Sequence, residues 1–301
     1  MLGSCPAKSL TLEEVDVKKV LVVSIGVLGL TLSLFAGAQE TAQRQAPAGW
    51  WPKLAGEFTP SISDEIVNGP VPRLHDGKPD LSGPWIGGGS NGDIEAQGGL
   101  KPGELPLLPW AKALRDSRSA NDEPYLYCTP MGIPRMNPYP WRFVQSYTAK
   151  GANYIFVLHE NGDAGGHRQI FMDGRTHPVD PLPTWWGHSI GQWQGDTLVI
   201  DTVGINDKFW FDSRGTPHTE QLHTVERWTR LNYGTMTNDF TLDDPGAFSR
   251  PVDLKFTAKA LPPGDELMEF ICSENNQYGS AGGIPNIYKD KGYGLEVTPP
   301  K

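Results

Sequence analysis

The sequence has few cysteines, no excess of basic residues and only one long apolar run. Three cysteines occur in 301 residues, and no CxxC pair is present, which argues against a zinc ribbon or a redox motif. The net charge is -9 at pH 7 and no basic patch is visible. We therefore expect no nucleic acid partner, because phosphate binding needs Lys and Arg to replace released counterions.

The composition is that of a folded protein rich in turns. Hydrophobic residues make up 38% and charged residues 20% of the chain, which is enough for a buried core. The 35 glycines and 27 prolines favour many turns and loops over long helices.

The single apolar run lies near the start and predicts an exported protein. Lys18 and Lys19 precede Val20–Phe35, which is followed by Ala36-Gly37-Ala38, as in a signal peptide with its cleavage site. We expect residues 1–38 to be removed and the mature protein to be periplasmic or secreted. The run is short for a membrane span, so no stable span is expected after cleavage; a retained anchor is the alternative.

Cleavage would remove Cys5 and leave Cys128 and Cys272. An even pair in an oxidising compartment favours a disulfide between them. Two buried free thiols are the alternative interpretation.

Three regions follow the predicted signal peptide. Residues 39–121 are predicted to form an irregular N-terminal arm with one short helix at Pro109–Ser117, where the proline fits a first helical turn. Residues 122–280 are predicted to form the folded domain, and residues 281–301 a C-terminal tail.

From Trp141 onward, short segments rich in β-branched and aromatic residues alternate with turn residues, which predicts strands. The predicted strands are Arg142–Thr148, Asn153–Glu160, Arg168–Met172, Gly191–Gln194, Thr197–Val203, Glu220–Leu231, Thr235–Leu242 and Val252–Ala260, with Leu267–Glu274 as a closing ninth. Consecutive strands on short links favour a mainly β fold, an antiparallel up-and-down barrel of the lipocalin kind, because closure removes exposed edges. A β-sandwich is the alternative.

Six sequence blocks resemble the signature of an uncharacterised family of exported bacterial proteins. They are HDGKPDLSGPW, MGIPR, RQIFMDGRTHP, WWGHSIGQWQGDTLVIDT, PHTEQLHTVERW and MEFICSEN, between His75 and Asn275. The resemblance implies a shared fold and a shared site, with no reaction to carry over. The Trp193 strand and Glu226-Arg227-Trp228 are also loosely similar in rhythm to lipocalin and nitrobindin barrels, which supports the fold only.

Six of the seven histidines fall between His159 and His223, which makes this window the candidate site. A transition metal is one interpretation, but the compact helical ligand spacings are absent and no metal ligands are assigned. Metal-free acid and base chemistry is the other, since imidazole exchanges a proton near neutral pH.

In the acid–base interpretation, loop residues converge with His223 at one mouth of the barrel. His177 or His188 would transfer the proton, and Arg175 would stabilise developing charge. Asp173 would lie with them at the mouth. Asp173-Gly174-Arg175 is also an ordinary turn sequence, and a structural role fits it equally well.

Alternation along the strand Glu220–Leu231 places His223 and Glu226 on opposite faces. Leu222 and Trp228 make the Glu226 face the more buried one, so Glu220 and Glu226 join the candidates; a buried carboxylate there is either paired with arginine or functionally poised. The proposed substrate-binding residues are Trp185, Trp186, Trp193 and Glu220.

The sequence therefore predicts an exported small-molecule enzyme of the lyase, isomerase or hydrolase type, working from a barrel mouth. The alternative is a periplasmic barrel that holds a ligand, haem or a metal ion without turnover. The pattern does not indicate a particular cofactor or substrate.

Overall fold

The computed structural model describes residues 62–149, 151–160 and 166–272. The predicted signal peptide, residues 39–61 of the predicted arm and the predicted tail at 281–301 lie outside the described residues. Everything described belongs to one unit of the chain, Pro60–Lys301.

The described part is a closed barrel, which confirms the predicted fold class. Nine strands follow each other around it in chain order, and the last pairs with the first. The strands are β1 (Trp85–Gly87), β2 (Trp141–Thr148), β3 (Gly151–His159), β4 (His167–Phe171), β5 (His188–Gln194), β6 (Thr197–Val203), β7 (His223–Arg230), β8 (Thr235–Asp243) and β9 (Val252–Ala260).

One seam of the barrel is parallel, which corrects the expectation of a fully antiparallel sheet. β4 and β5 pair in parallel over only two positions, Ile170 with Ser189 and Phe171 with Ile190. The connection between them, residues 172–187, runs back over the outer face of β4 before β5 begins. We call this segment the crossover loop.

The barrel closes through the predicted arm and not through Leu267–Glu274. β1 pairs with β9 from Trp85 opposite Ala260 to Gly87 opposite Ala258. Residues 267–272 form no strand, because the chain turns away from the sheet at Pro262-Pro263-Gly264 and is tied by Cys272 elsewhere. Three residues of an apparently irregular arm therefore complete the wall.

The barrel interior is filled by side chains from alternate positions. In β9, Val252, Leu254, Phe256 and Ala258 are buried while the residues between them are exposed, as the sequence alternation predicts. Trp85, Trp141 and Trp228 are fully buried near the centre, and the rings of Trp141 and Trp228 lie 5.0 Å apart. The interior is a packed core with a few polar side chains inside it.

Short helices and 3-10 turns pack around the barrel. They are α1 (Asp64–Val67), α2 (Ile94–Gln97), α3 (Pro109–Ser117) and the 3-10 turns Ala120–Asp122 and Pro124–Tyr127. α3 has the predicted bounds, with its proline in the first turn. A second apolar cluster joins Ile94 and Ala111 to Leu242 where β8 ends. No helix in the described ranges is long and apolar enough to cross a membrane.

The predicted disulfide is confirmed: Cys128 and Cys272 are bonded, with their Cα atoms 5.4 Å apart and a sequence separation of 144. Cys128 follows a 3-10 turn at the entry to the barrel, and Cys272 follows the segment beyond β9. The bond closes a loop that contains β2 to β9, which restricts the unfolded chain.

We predict that the double substitution Cys128→Ala/Cys272→Ala lowers the free energy of unfolding by about 2–5 kcal/mol, because the unfolded chain regains loop entropy. Urea denaturation measures the difference. Reducing agent should lower the stability of the wild type similarly and leave the double variant unchanged; equal stability of all forms under oxidising conditions would contradict the prediction.

Candidate active site

The outer faces of β5, β6 and β7 carry the residues of the site. Ser189 and Thr202 are fully buried inside the barrel, so their neighbours His188 and Asp201 point outward, because successive side chains of a strand alternate. His223 starts β7 and is also on the outer face, since Thr224 is buried. The register Thr202 opposite Thr224 makes Asp201 and His223 diagonal neighbours.

Three histidines and one carboxylate are joined by hydrogen bonds. The Oδ1 atom of Asp201 lies 2.8 Å from Nε2 of His223 and 3.0 Å from Nε2 of His177. Nδ1 of His177 lies 2.9 Å from Nδ1 of His188. We call the chain Asp201–His177–His188 the histidine relay, with His223 as a second partner of its carboxylate.

The protonation states of the histidine relay follow from its bonds. An ionised carboxylate only accepts, so His177 donates its Nε2 proton to Asp201. In neutral His177 the remaining Nδ1 then accepts, and His188 must donate from its own Nδ1. This arrangement leaves Nε2 of His188 without a proton whenever His188 is neutral.

The charges around the relay favour neutral His188 and ionised Asp201. Burial lowers the pKa of His188, and nearby His177 and Arg175 lower it further. The hydrogen bond from His223 lowers the pKa of Asp201, although burial acts in the opposite direction. The same bond raises the pKa of His223. The lowered pKa of His188 therefore favours its neutral form.

The first part of the crossover loop packs on Phe171, the last residue of β4, whose ring stacks on that of His188. The turn at Asp173-Gly174-Arg175 is closed by the Arg175 Nε atom, which donates to Asp173 Oδ1 at 2.9 Å. The guanidinium of Arg175 lies 3.8 Å over the ring of Phe171, and that ring stacks on His188 at 5.0 Å. Arg175 lowers the pKa of Asp173, so the two residues form an ion pair beside the relay.

The end of the crossover loop is fixed by backbone contacts. Thr184 donates its N–H to the carbonyl of Gly204 at 3.0 Å, and Asn206 donates to the carbonyl of Thr184 at 2.8 Å. Gly187 has φ +64, and a Cβ there would lie 2.6 Å from the carbonyl oxygen of Val203. Glycine is therefore required immediately before His188.

A cavity of about 380 Å³ lies between the crossover loop and the outer face of β4. His188 forms part of its wall. The other lining residues are His167, Gln169, Phe171, Pro178, Pro181, Leu182, Thr184, Trp186 and Gly187. Most of the wall is apolar, and no Lys, Arg, Asp or Glu lines it. The histidine relay thus ends at a largely apolar pocket.

The structure brings together some predicted site residues on the outer wall of the barrel, whereas the sequence analysis placed them at its mouth. His177, His188 and His223 meet around Asp201, Asp173 and Arg175 lie beside them, and Trp186 lines the cavity. The outer location follows from strand alternation, which turns His188 and His223 away from the interior.

Other predicted site residues lie apart from the relay. Glu226 points into the barrel, where it is 1% exposed and 2.6 Å from Arg168. Trp193 packs against the interior core, and Trp185 packs against the apolar cluster at the barrel end. Glu220 is exposed and precedes β7. The sequence left two alternatives for a buried carboxylate, a pair with arginine or a functional role. Glu226 is paired with an arginine, Arg168.

Asp201 is the residue that the sequence analysis missed. It follows the apolar stretch Leu198–Ile200 within β6, and the sequence analysis predicted this segment only as a strand. The available signal was alternation: Val199 and Asp201 share one face, while Leu198, Ile200 and Thr202 share the buried one. An acidic residue on the outer face of an otherwise apolar strand indicates a partner outside the barrel.

The remaining histidines of the window have other environments. Burial lowers the pKa of both His159 and His218 to about 3, so both are neutral. His159 stacks on Trp186 with ring centres 5.4 Å apart, and His218 packs against Phe209 at 4.4 Å. His167 lines the cavity without belonging to the relay.

The described residues contain no group of three or more His, Cys, Asp or Glu side chains arranged to hold a metal ion. In the relay the nitrogen and oxygen atoms face each other at 2.8–3.0 Å. These are direct hydrogen bonds.

No family model, curated protein or solved structure matches this chain. The resemblance to exported bacterial proteins therefore stays a prediction.

We predict that Asp201→Asn lowers the pKa of His223, because the charge that favours the imidazolium is removed while burial remains. Proton NMR titration measures this. Asp243→Asn is the control: Asp243 is the last contributor to the raised pKa, so its loss should have a smaller effect. An unchanged pKa of His223 in Asp201→Asn would contradict the hydrogen bond assigned between His223 and Asp201.

The same pair predicts a pH window for stability. The raised pKa of His223 contributes stability that is present below its ordinary value of 6.5 and lost as pH rises through the raised value. The lowered pKa of Asp201 contributes stability that is present above 3.8 and lost as pH falls through the lowered value. Asp201→Asn should therefore destabilise most between these limits. Urea denaturation at several pH values checks this, and a pH-independent difference would contradict it.

Proposed function

We propose that this protein is an exported enzyme that uses His188 as a general base on a small neutral molecule. The observation that carries the proposal is the position of His188. One ring nitrogen of His188 is held by the histidine relay, and the side chain forms part of the cavity wall. Proton abstraction requires a base that is oriented by one hydrogen bond and is still within reach of the substrate.

The hydrogen bonds of the relay stabilise His188 both before and after it takes up a proton. Nε2 of His188 takes a proton from the substrate, and the imidazole becomes an imidazolium. Its Nδ1–H remains bonded to His177, whose Nε2–H remains bonded to the Asp201 carboxylate. The negative charge stabilises the cation, as the buried aspartate does in serine protease triads. The proton then returns to the product or leaving group, which gives a lyase, isomerase or hydrolase step.

The lining of the cavity favours an uncharged substrate. No charged side chain lines it, and Arg175 nearby is paired with Asp173. Burying an ion without a partner is costly, so charged compounds are disfavoured. The volume of about 380 Å³ is near the lower end of ligand pockets. Gln169 and His167 supply polar contacts beside apolar walls formed by Phe171, Leu182 and Trp186.

Export to the periplasm or medium belongs to the same proposal. The disulfide between Cys128 and Cys272 supports it, because such bonds persist in oxidising compartments. The basic and apolar pattern at Lys18–Ala38 supports it from the sequence.

His188→Gln tests the proposed role against His75→Gln, a control histidine that is exposed and lies outside the cavity. The probes are hydrolysis of p-nitrophenyl acetate and exchange of the α-protons of acetophenone in deuterium oxide. We expect His188→Gln to lower the faster of the two enzyme-dependent rates by about 100-fold or more, since general acid–base groups contribute about 10²–10⁴. His75→Gln should change it less than about threefold.

Two results would contradict the proposal. Equal rates in the two variants would remove His188 from the chemistry. Binding of acetophenone, detected as a shift of the Trp186 indole N–H signal, without acceleration of either probe reaction would instead favour the ligand-holding barrel as the function.

A further inference from the structure

A second hydrogen-bonded network lies inside the barrel, directly behind the histidine relay. Arg168 on β4 is 3% exposed. Its Nε donates to Ser189 Oγ at 2.9 Å, its Nη2 to Thr202 Oγ1 at 2.6 Å, and its Nη1 lies 2.6 Å from Glu226 Oε1. One guanidinium therefore contacts β5, β6 and β7 from the neighbouring strand. We call Arg168, Ser189, Thr202 and Glu226 the arginine clamp.

The arginine clamp spans the short parallel seam between β4 and β5. β4 and β5 share only two register pairs, whereas β5 and β6 share seven. Few backbone hydrogen bonds fix the parallel seam. The bond from Arg168 to Ser189 adds a side-chain link across it, next to Ile170 opposite Ser189.

Each hydroxyl of the arginine clamp is adjacent in sequence to a member of the relay. Ser189 follows His188, and Thr202 follows Asp201. Ser189 and Thr202 are register partners, and their hydroxyl oxygens lie 3.0 Å apart. A shift of β5 against β6 therefore changes the inner contact and the outer His188–His177–Asp201 distances together.

We infer that Arg168 is a positioning residue for the histidine relay, acting through Ser189 and Thr202. This inference rests on the proposed function of His188. The buried charge of Arg168 is paired with Glu226, so the network is compensated electrostatically. Buried ion pairs often add little net stability but can specify geometry, and displacement of a catalytic group by about 1 Å can cost about 100-fold in rate.

The barrel offers a matched pair of variants. Thr202 and Thr224 are register partners on adjacent strands, and both are fully buried. The hydroxyl of Thr202 accepts from Arg168, whereas that of Thr224 has no hydrogen-bond partner in the described part of the chain. Valine has the shape of threonine, so Thr202→Val and Thr224→Val remove the same group from the same layer, and only the first touches the clamp. Substituting Arg168 itself would leave Glu226 buried and unpaired.

The experiment measures the faster probe reaction together with carbethoxylation of His188 by diethyl pyrocarbonate, followed by mass spectrometry over pH. Thr202→Val should lower kcat about tenfold with KM within about twofold, a smaller loss than a full 1 Å displacement. The pH of half-maximal carbethoxylation of His188 should rise toward that of an ordinary imidazole. Thr224→Val should match the wild type in both, and Ser189→Ala should follow Thr202→Val.

The outcomes separate the two proposals. If Thr202→Val and Thr224→Val give the same kcat and the same His188 profile, the positioning role is wrong, whatever His188→Gln shows. If His188→Gln equals His75→Gln in rate, the enzymatic function fails; a shifted His188 profile in Thr202→Val alone then still supports positioning. A loss of thermal stability in Thr202→Val without a change in either readout would make the clamp purely structural and overturn the inference.

Discussion

The alternation of side chains along β6 is the constraint on which the site depends. Asp201 points outward to two imidazoles, and Thr202 points inward to Arg168. One strand therefore connects an acid–base arrangement on the outside with an ionic network on the inside. Both groups include residues that lie on strands of the barrel. The sheet therefore restricts how far these residues can move relative to one another.

The electrostatics of the outer site depend on unequal burial. His223 is 39% exposed and the side chain of His177 is 20% exposed. The carboxylate of Asp201 favours the charged form of His223, whereas burial and nearby positive charge favour the neutral form of His188. His223, bonded to the carboxylate, and His188, bonded to His177, thus have opposite tendencies: the pKa of His223 is raised and that of His188 is lowered.

Local sequence patterns predicted much of the fold. The proline start of α3, the alternation of β9 and the pairing of Cys128 with Cys272 were predictable because each depends on nearby chemistry or on an even cysteine count. The closing strand β1 and the parallel β4–β5 seam were not, since three residues carry no periodicity and pairing direction depends on the path of the crossover loop. The histidine window contained the three histidines that the structure brings together, but Asp201 required knowledge of strand register.

The account depends most on the hydrogen bond between His177 and His188, and the tautomer of His188 tests it directly. Nitrogen-15 chemical shifts of the imidazole, assigned with His188→Gln, report which nitrogen carries the proton at a pH where the ring is neutral. The relay predicts a protonated Nδ1 and an unprotonated Nε2 in His188. A proton on Nε2, with Nδ1 bare, would contradict the assigned direction of the bond to His177 and the assignment of His188 Nε2 as the base.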